Sequence, residues 1–104
     1  HNIKREVFFK AMQAEGVYTY KGWSPLYKEP LFSINPKEYP WLENIDYNGL
    51  FHDNTETFAQ EQAVWLRQNH LIGTDNDLKD IINAFEKVTT VMRKSPDKFK
   101  NIIT

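Results

Sequence analysis

The sequence predicts an α/β fold, a small two-layer sandwich in which two main helices pack on a short antiparallel sheet and a long aromatic-rich loop joins the strands. Three observations predict it. Apolar residues recur at helical spacing near both ends of the 104-residue chain, two short strand-forming runs lie between them, and prolines and glycines interrupt most of what separates those runs.

The first helix is predicted over residues 3–15, where Ile3, Val7, Phe8, Ala11 and Met12 share one face and Lys4, Arg5, Lys10 and Gln13 lie largely on the other. Gly16 stops it. A glycine just past the last periodic residue supplies a left-handed cap, and the chain leaves as Val17, Tyr18, Thr19 and Tyr20, all strand formers. Over residues 21–54 the pattern dissolves, with Gly22, Pro25, Pro30, Pro36, Pro40 and Gly49 spaced so that no helix or long strand persists. Irregular excursions beyond about 12 to 15 residues are uncommon unless functional or disordered, and the aromatic content here argues against disorder. The segment reads as an ordered loop packed on another surface, with a flap over this chain's own core as the alternative.

A short helix is expected over residues 56–61, where Thr57 and Gln60 have capping-box spacing. Val64, Trp65 and Leu66 then form a strand that pairs with Tyr18 and Tyr20. The last helix spans residues 75–94: Thr74 caps it with Asp77 three residues on, acidic Asp75 and Asp77 suit its start, and Arg93 and Lys94 suit its end. Leu78, Ile81, Ile82, Phe85, Val88 and Met92 form its apolar stripe. Ser95 and Pro96 end it, leaving 96–104 as a tail. Two strands make a marginal sheet, so a third is expected upstream of His1. The first residue is histidine rather than methionine, which fits a chain cut from something longer or carrying a tag remnant.

Length fits one domain over residues 1–104. Thirteen Lys and Arg against fourteen Asp and Glu leave a net charge of −1, which gives no nucleic-acid footprint. Absence of cysteine removes disulfides, thiolate metal sites and thiol catalysis, and is compatible with the cytoplasm. No apolar run approaches the roughly 18 to 20 residues of a membrane span, so no membrane partner is expected. Three tryptophans in so short a chain must serve the core or an interface, and most aromatic residues crowd between positions 17 and 65.

Candidate chemistry is sparse. His1, His52 and His70 have no helical-spacing partner for a metal, and Asp75, Asn76 and Asp77 are accounted for by helix capping rather than by a calcium loop. The Gly73-Thr74-Asp75 turn is a poor anion site because its acidic neighbours repel phosphate. No nucleophile elbow, Walker loop or dinucleotide fingerprint occurs. Lys21, Trp23, Tyr27, Arg67, Gln68 and Asn69 flank the ends of the long loop, where they serve either a cleft or ordinary loop anchoring.

Four passages in one order carry a resemblance. Arg5 with residues 9–17 is similar to an "R, F, AL, AEGI" helix-to-strand passage, and SPLYKEPLF at 24–32 is similar to a "PLY or PLH, then P, then F or Y" loop segment. Residues 65–73 resemble "W, two or three residues, then LLG", and residues 77–88 resemble "DMDDIVDAIEKI". Together they resemble the C-terminal small domain of the DegT/DnrJ/EryC1/StrS aminotransferases, which use pyridoxal phosphate to aminate keto-sugars and keto-cyclitols. The Trp65 and Leu-Ile-Gly pattern leans toward keto-cyclitol members. The resemblance implies a fold type I enzyme whose large domain supplies the Schiff-base lysine, the phosphate contacts and the aspartate under the pyridine ring, with a homodimer partner completing the site. It therefore implies no catalytic, cofactor-binding or metal residue in this chain, and a role as substrate-side wall or lid. The resemblance implies that Trp23 with its neighbour Lys21, and Tyr27 and Gln68, standing where some members have histidine, face the small-molecule substrate, and Asn69 joins them by its place at the end of the long loop. The alternative reading is a stand-alone binding module that uses its aromatic loop.

Overall fold

The computed structural model describes residues 3–42, 44, 46 and 49–100. His1 and tail residues 101–104, which enter the expectations above, lie outside the described residues. The chain divides into two compact units, His1–Tyr20 with Val64–Thr104, and Lys21–Ala63.

In the first unit, helix α1 spans Arg5–Ala14. Its C-terminal turn closes as the periodicity predicts: Gly16 sits at φ +83°, its N–H donates to the Gln13 carbonyl at 2.9 Å, and Val17 N–H donates to the Met12 carbonyl at 3.0 Å. That paired pattern is a Schellman turn, and it brings Val17 back against Met12, both of them buried. Helix α3, Asp75–Lys94, begins with a complete capping box in which Thr74 Oγ1 accepts from Asp77 N–H at 3.3 Å and Asp77 Oδ2 accepts from Thr74 N–H at 2.7 Å. Both helices meet in one core of Val7, Met12, Val17, Ala84, Val88 and Met92, with Phe8 and Phe85 in tilted ring contact at 5.7 Å on its edge. Met12 is fully enclosed at 0% exposure. On the surface, Lys87 Nζ of α3 reaches Glu15 at 2.7 Å, an exposed pair that contributes little.

The sandwich expectation is overturned. Among the described residues there is no strand, and the two strand-forming runs meet only at an isolated antiparallel bridge between Tyr20 and Trp65, with N–H to carbonyl distances of 2.9 and 2.8 Å. Competing local bonds on both sides explain why pairing stops there. Ala63 N–H closes a wide turn onto the Phe58 carbonyl at 2.7 Å, and the Arg67 carbonyl accepts from His70 in the 3-10 turn Gln68–Leu71. A ladder confined to one pair is not a sheet layer. The fold of the described residues is helical.

Three smaller corrections follow. The final helix's stripe does not bury as one face, because Ala84, Val88 and Met92 turn inward while Ile82 is 56% exposed. The tail forms a short helix, α4, at Asp97–Lys100, and Phe99 packs against the core. In the second unit, helix α2 starts earlier than expected, at Asp53–Thr57, and widens into a π turn at Phe58–Gln62. Neither Thr57 nor Gln60 caps it, and the Gln60 side chain instead bonds Glu56. The long loop is organised by 3-10 turns at Leu26–Lys28, Pro30–Phe32 and Pro40–Leu42. No helix among the described residues is long and apolar enough to cross a membrane.

Met12→Ala is expected to destabilise the first unit by about 2 to 5 kcal/mol through loss of enclosed volume, and Phe85→Ala, only half-buried, by less. Urea melts followed by circular dichroism check the order, and a larger loss at Phe85 refutes it. A Cβ added at Gly16 meets nothing within 4 Å, so Gly16→Ala isolates the backbone cost of the left-handed conformation, about 1 kcal/mol. An unchanged melting midpoint contradicts this account of the cap.

Candidate functional site

The second unit, Lys21–Ala63, is built around a carboxylate. Pro25 is buried and presets the turn Leu26–Lys28, which carries Tyr27 and Lys28 onto α2. There Glu56 is only 4% exposed. The Tyr27 hydroxyl donates to Glu56 Oε1 at 2.7 Å, Lys28 Nζ approaches the same oxygen at 2.6 Å, and the Gln60 amide donates to Oε2 at 2.5 Å. Tyr27 oxygen also accepts from the His52 backbone N–H at 3.2 Å, and the Tyr27 and His52 rings meet edge-on at 5.2 Å. The Lys28 ammonium also lies 5.6 Å from the Phe51 ring centre.

This network settles protonation. The Lys28 ammonium, and then the Tyr27 hydroxyl, hold the Glu56 carboxyl below the ordinary carboxylate range, overcoming the opposing effect of burial. Burial first, and then its bond to Glu56, push the Tyr27 phenol above its ordinary value. Near neutral pH the acid stays ionised and the phenol stays protonated. The group is a clamp between a turn and a helix, not a pair poised for proton transfer.

Lys21 and Trp23 lie at the start of this unit on either side of Gly22, whose φ is +79°. Trp23 is 74% exposed, and Trp41, with Tyr39 edge-on at 5.7 Å, is 75% exposed. The tryptophans were expected to serve the core or an interface, and these two are not core. Phe51 and Phe58 are exposed as well.

In the other unit, Gln68 and Asn69 open the turn Gln68–Leu71 and are exposed. Arg67 lays its guanidinium over the Tyr20 ring at 4.7 Å, which anchors that turn beside the bridge. Asn69 borders an open hollow of about 420 Å³ shared with Glu15, His70, Asp77 and Asp80. Glu15 is paired with Lys87, and Asp77 is committed to the capping box, whose Thr74 bonds lower its pKa. His70 Nδ1 is enclosed with no hydrogen-bond partner among the described residues. The acidic lining suits a neutral polar or cationic molecule rather than a phosphate.

Of the sequence candidates, Lys21, Trp23 and Tyr27 thus belong to one unit and Gln68 and Asn69 to the other. Glu56 and His70 were missed as enclosed polar groups. For Glu56 the available signal was Gln60 four residues on, the spacing at which side chains on a helix meet. Every lysine whose side chain is described is exposed, so these residues do not fit an enclosed Schiff-base lysine. Among the described residues no group of three or more His, Cys, Asp or Glu is arranged for a metal ion.

No known family profile matches the chain, and no solved structure matches it. Two curated proteins do. One, from Streptomyces kanamyceticus, carries the name of an L-glutamine:3-amino-2,3-dideoxy-scyllo-inosose aminotransferase and is 26% identical over 102 residues, 91% of this chain and 24% of that protein. The other, from Streptoalloteichus tenebrarius, carries the same name and is 27% identical over 94 residues, 83% of this chain and 22% of that protein. The chain spans about a quarter of the length of these relatives. Both similarities support a relationship to aminotransferases.

Because the folded state holds Glu56 below its ordinary value of 4.5, its contribution to stability is complete above that pH and is lost as pH falls through the lower folded value. Melting midpoints of the parent chain and of Glu56→Gln should therefore converge as pH drops from about 5 to about 3. A constant gap between the two across that range rules out the ionised clamp.

Proposed function

We propose that this chain is the C-terminal part of a pyridoxal-phosphate-dependent aminotransferase of the DegT/DnrJ/EryC1/StrS type that aminates a keto-cyclitol or keto-sugar in the cytoplasm. The observation that carries this reading is the extent of the similarity: one match covers 91% of the chain, and both relatives bear the same aminotransferase name. In this reading glutamine, which the relatives' name contains, is the amino donor. The cofactor and its lysine belong to a large domain outside this sequence, the intact enzyme is a homodimer, and this chain contributes part of the substrate-side wall or lid. When bound there, pyridoxal phosphate supplies the electron sink for amino transfer.

Each candidate residue then has a specific task. Trp23 offers an exposed ring face for the C–H face of a cyclitol, and Lys21, two positions away, offers an ammonium to its hydroxyls. Tyr27, engaged with Glu56 and His52, holds the turn that follows them. Gln68 and Asn69 are neutral polar groups that accept and donate hydrogen bonds to hydroxyls. A second reading, a stand-alone binding module, is favoured by the exposed rings of Trp23, Trp41 and Phe51.

Determining the coding sequence upstream of His1 separates the readings. An in-frame extension of several hundred residues that includes a Ser/Thr-x-x-Lys-like lysine is expected, and a start codon directly before His1 refutes the enzyme reading. In the extended protein, Trp23→Ala should raise KM for the keto-cyclitol about tenfold or more, with glutamine dependence retained. The 104-residue chain itself should show no amino transfer and no stoichiometric lysine adduct after borohydride reduction with pyridoxal phosphate. A single trapped lysine in that chain contradicts the assignment of the cofactor to another domain.

A further inference from the structure

Burial of the Glu56 carboxylate brings little stability of its own, because an apolar side chain of similar size commonly serves a buried position as well as a fully bonded ion does. What the ion adds is directed bonds. Its Oε1 takes the Tyr27 hydroxyl at 2.7 Å and the Lys28 ammonium at 2.6 Å, and its Oε2 takes the Gln60 amide at 2.5 Å. The Tyr27 oxygen in turn accepts the His52 N–H at 3.2 Å, at the start of α2, where His52 supplies no side-chain cap. Two adjacent residues of the turn Leu26–Lys28 are thereby tied to α2, 25 to 29 positions further along the chain. Past Glu56 the helix widens into the π turn Phe58–Gln62, from which Gln60 reaches back to the carboxylate. Such turns recur at functional sites.

This anchored turn lies close in sequence to Trp23. Pro25, directly before the turn, is buried, and only Ser24 separates it from Trp23. A residue that precedes proline is itself confined to extended backbone, so the link is short and stiff. The Trp23 ring is 74% exposed and gains little orientation from packing. We propose that Glu56 is a positioning residue for Trp23: by tying Tyr27 and Lys28 to α2 it fixes the turn, and through Pro25 and Ser24 it sets where the exposed indole stands. The inference rests on the aminotransferase reading, in which Trp23 meets the ring of the keto-cyclitol and Glu56 touches no substrate. It also limits Tyr27. With its proton given to Glu56, that hydroxyl has no donor left for a substrate.

Nuclear magnetic resonance of the 104-residue chain reads the positioning without any activity. The variants are Tyr27→Phe, which leaves Lys28 and Gln60 on the carboxylate, and Glu56→Gln. In both, the Trp23 indole and the Ser24 amide should lose order, seen as falling heteronuclear NOE values, while those of α1 and α3 hold. Should Glu56→Gln unfold its unit, Tyr27→Phe alone decides. In the extended protein Tyr27→Phe should raise KM for the keto-cyclitol about fivefold, with kcat and the KM for glutamine unchanged. In a Trp23→Ala background it should add no further rise. A Trp23 indole as ordered in the folded variants as in the parent overturns the proposal, and so does a KM effect that persists in full without Trp23. An extended parent protein that transfers no amino group strikes the aminotransferase reading instead, and the order of the indole still decides the positioning.

Discussion

The first unit depends on one contact, the burial of Met12 where the end of α1, its C-terminal turn and α3 converge. Met12 is enclosed on all sides, and its carbonyl accepts the Val17 N–H that reverses the chain. Methionine suits such a junction because an unbranched thioether fills irregular space between elements that meet at different angles. Directing Val17 inward is also what sends the following residues toward Trp65. The isolated bridge at Tyr20 is therefore a consequence of the turn more than of strand propensity.

The two units reach stability by different means. One buries a small apolar cluster between helices, whereas the other encloses a carboxylate and surrounds it with a hydroxyl, an ammonium and an amide. An enclosed ion is tolerable only when its hydrogen bonds are made, and a network of that kind fixes geometry more than it adds stability. The cost of a small apolar core is visible on the surface. Ile72, Ile82, Trp23 and Trp41 are all exposed in this chain.

This division bears on function. Tyr27 stands in the 24–32 segment that carries part of the resemblance, yet its hydroxyl is bound on both sides and its ionisation is suppressed. Lys21 and Trp23, in the same unit, are exposed. In the other unit Asn69 borders an acidic hollow in which two carboxylates are already engaged. That acidic lining suits a neutral polar or cationic molecule rather than a phosphate.

Local sequence by itself determined both long helices, the glycine cap at Gly16 and the Thr74–Asp77 capping box, since each rests on bonds between residues within about one helical turn. The relationship to aminotransferases was legible too, because it lies in the order of short motifs and needs no coordinates. Tertiary structure decided the rest. Whether Val17–Tyr20 and Val64–Leu66 extend into a sheet turned on competing bonds at Ala63 and Arg67, which strand propensity does not register. Which part of α3's apolar stripe faces inward depended on where α1 docks, so Ile82 reads as core in sequence and lies exposed in space. Glu56 was the least legible of all. Its partners Tyr27 and Lys28 stand 29 and 28 positions away, and a buried carboxylate is stable only once the fold has delivered them.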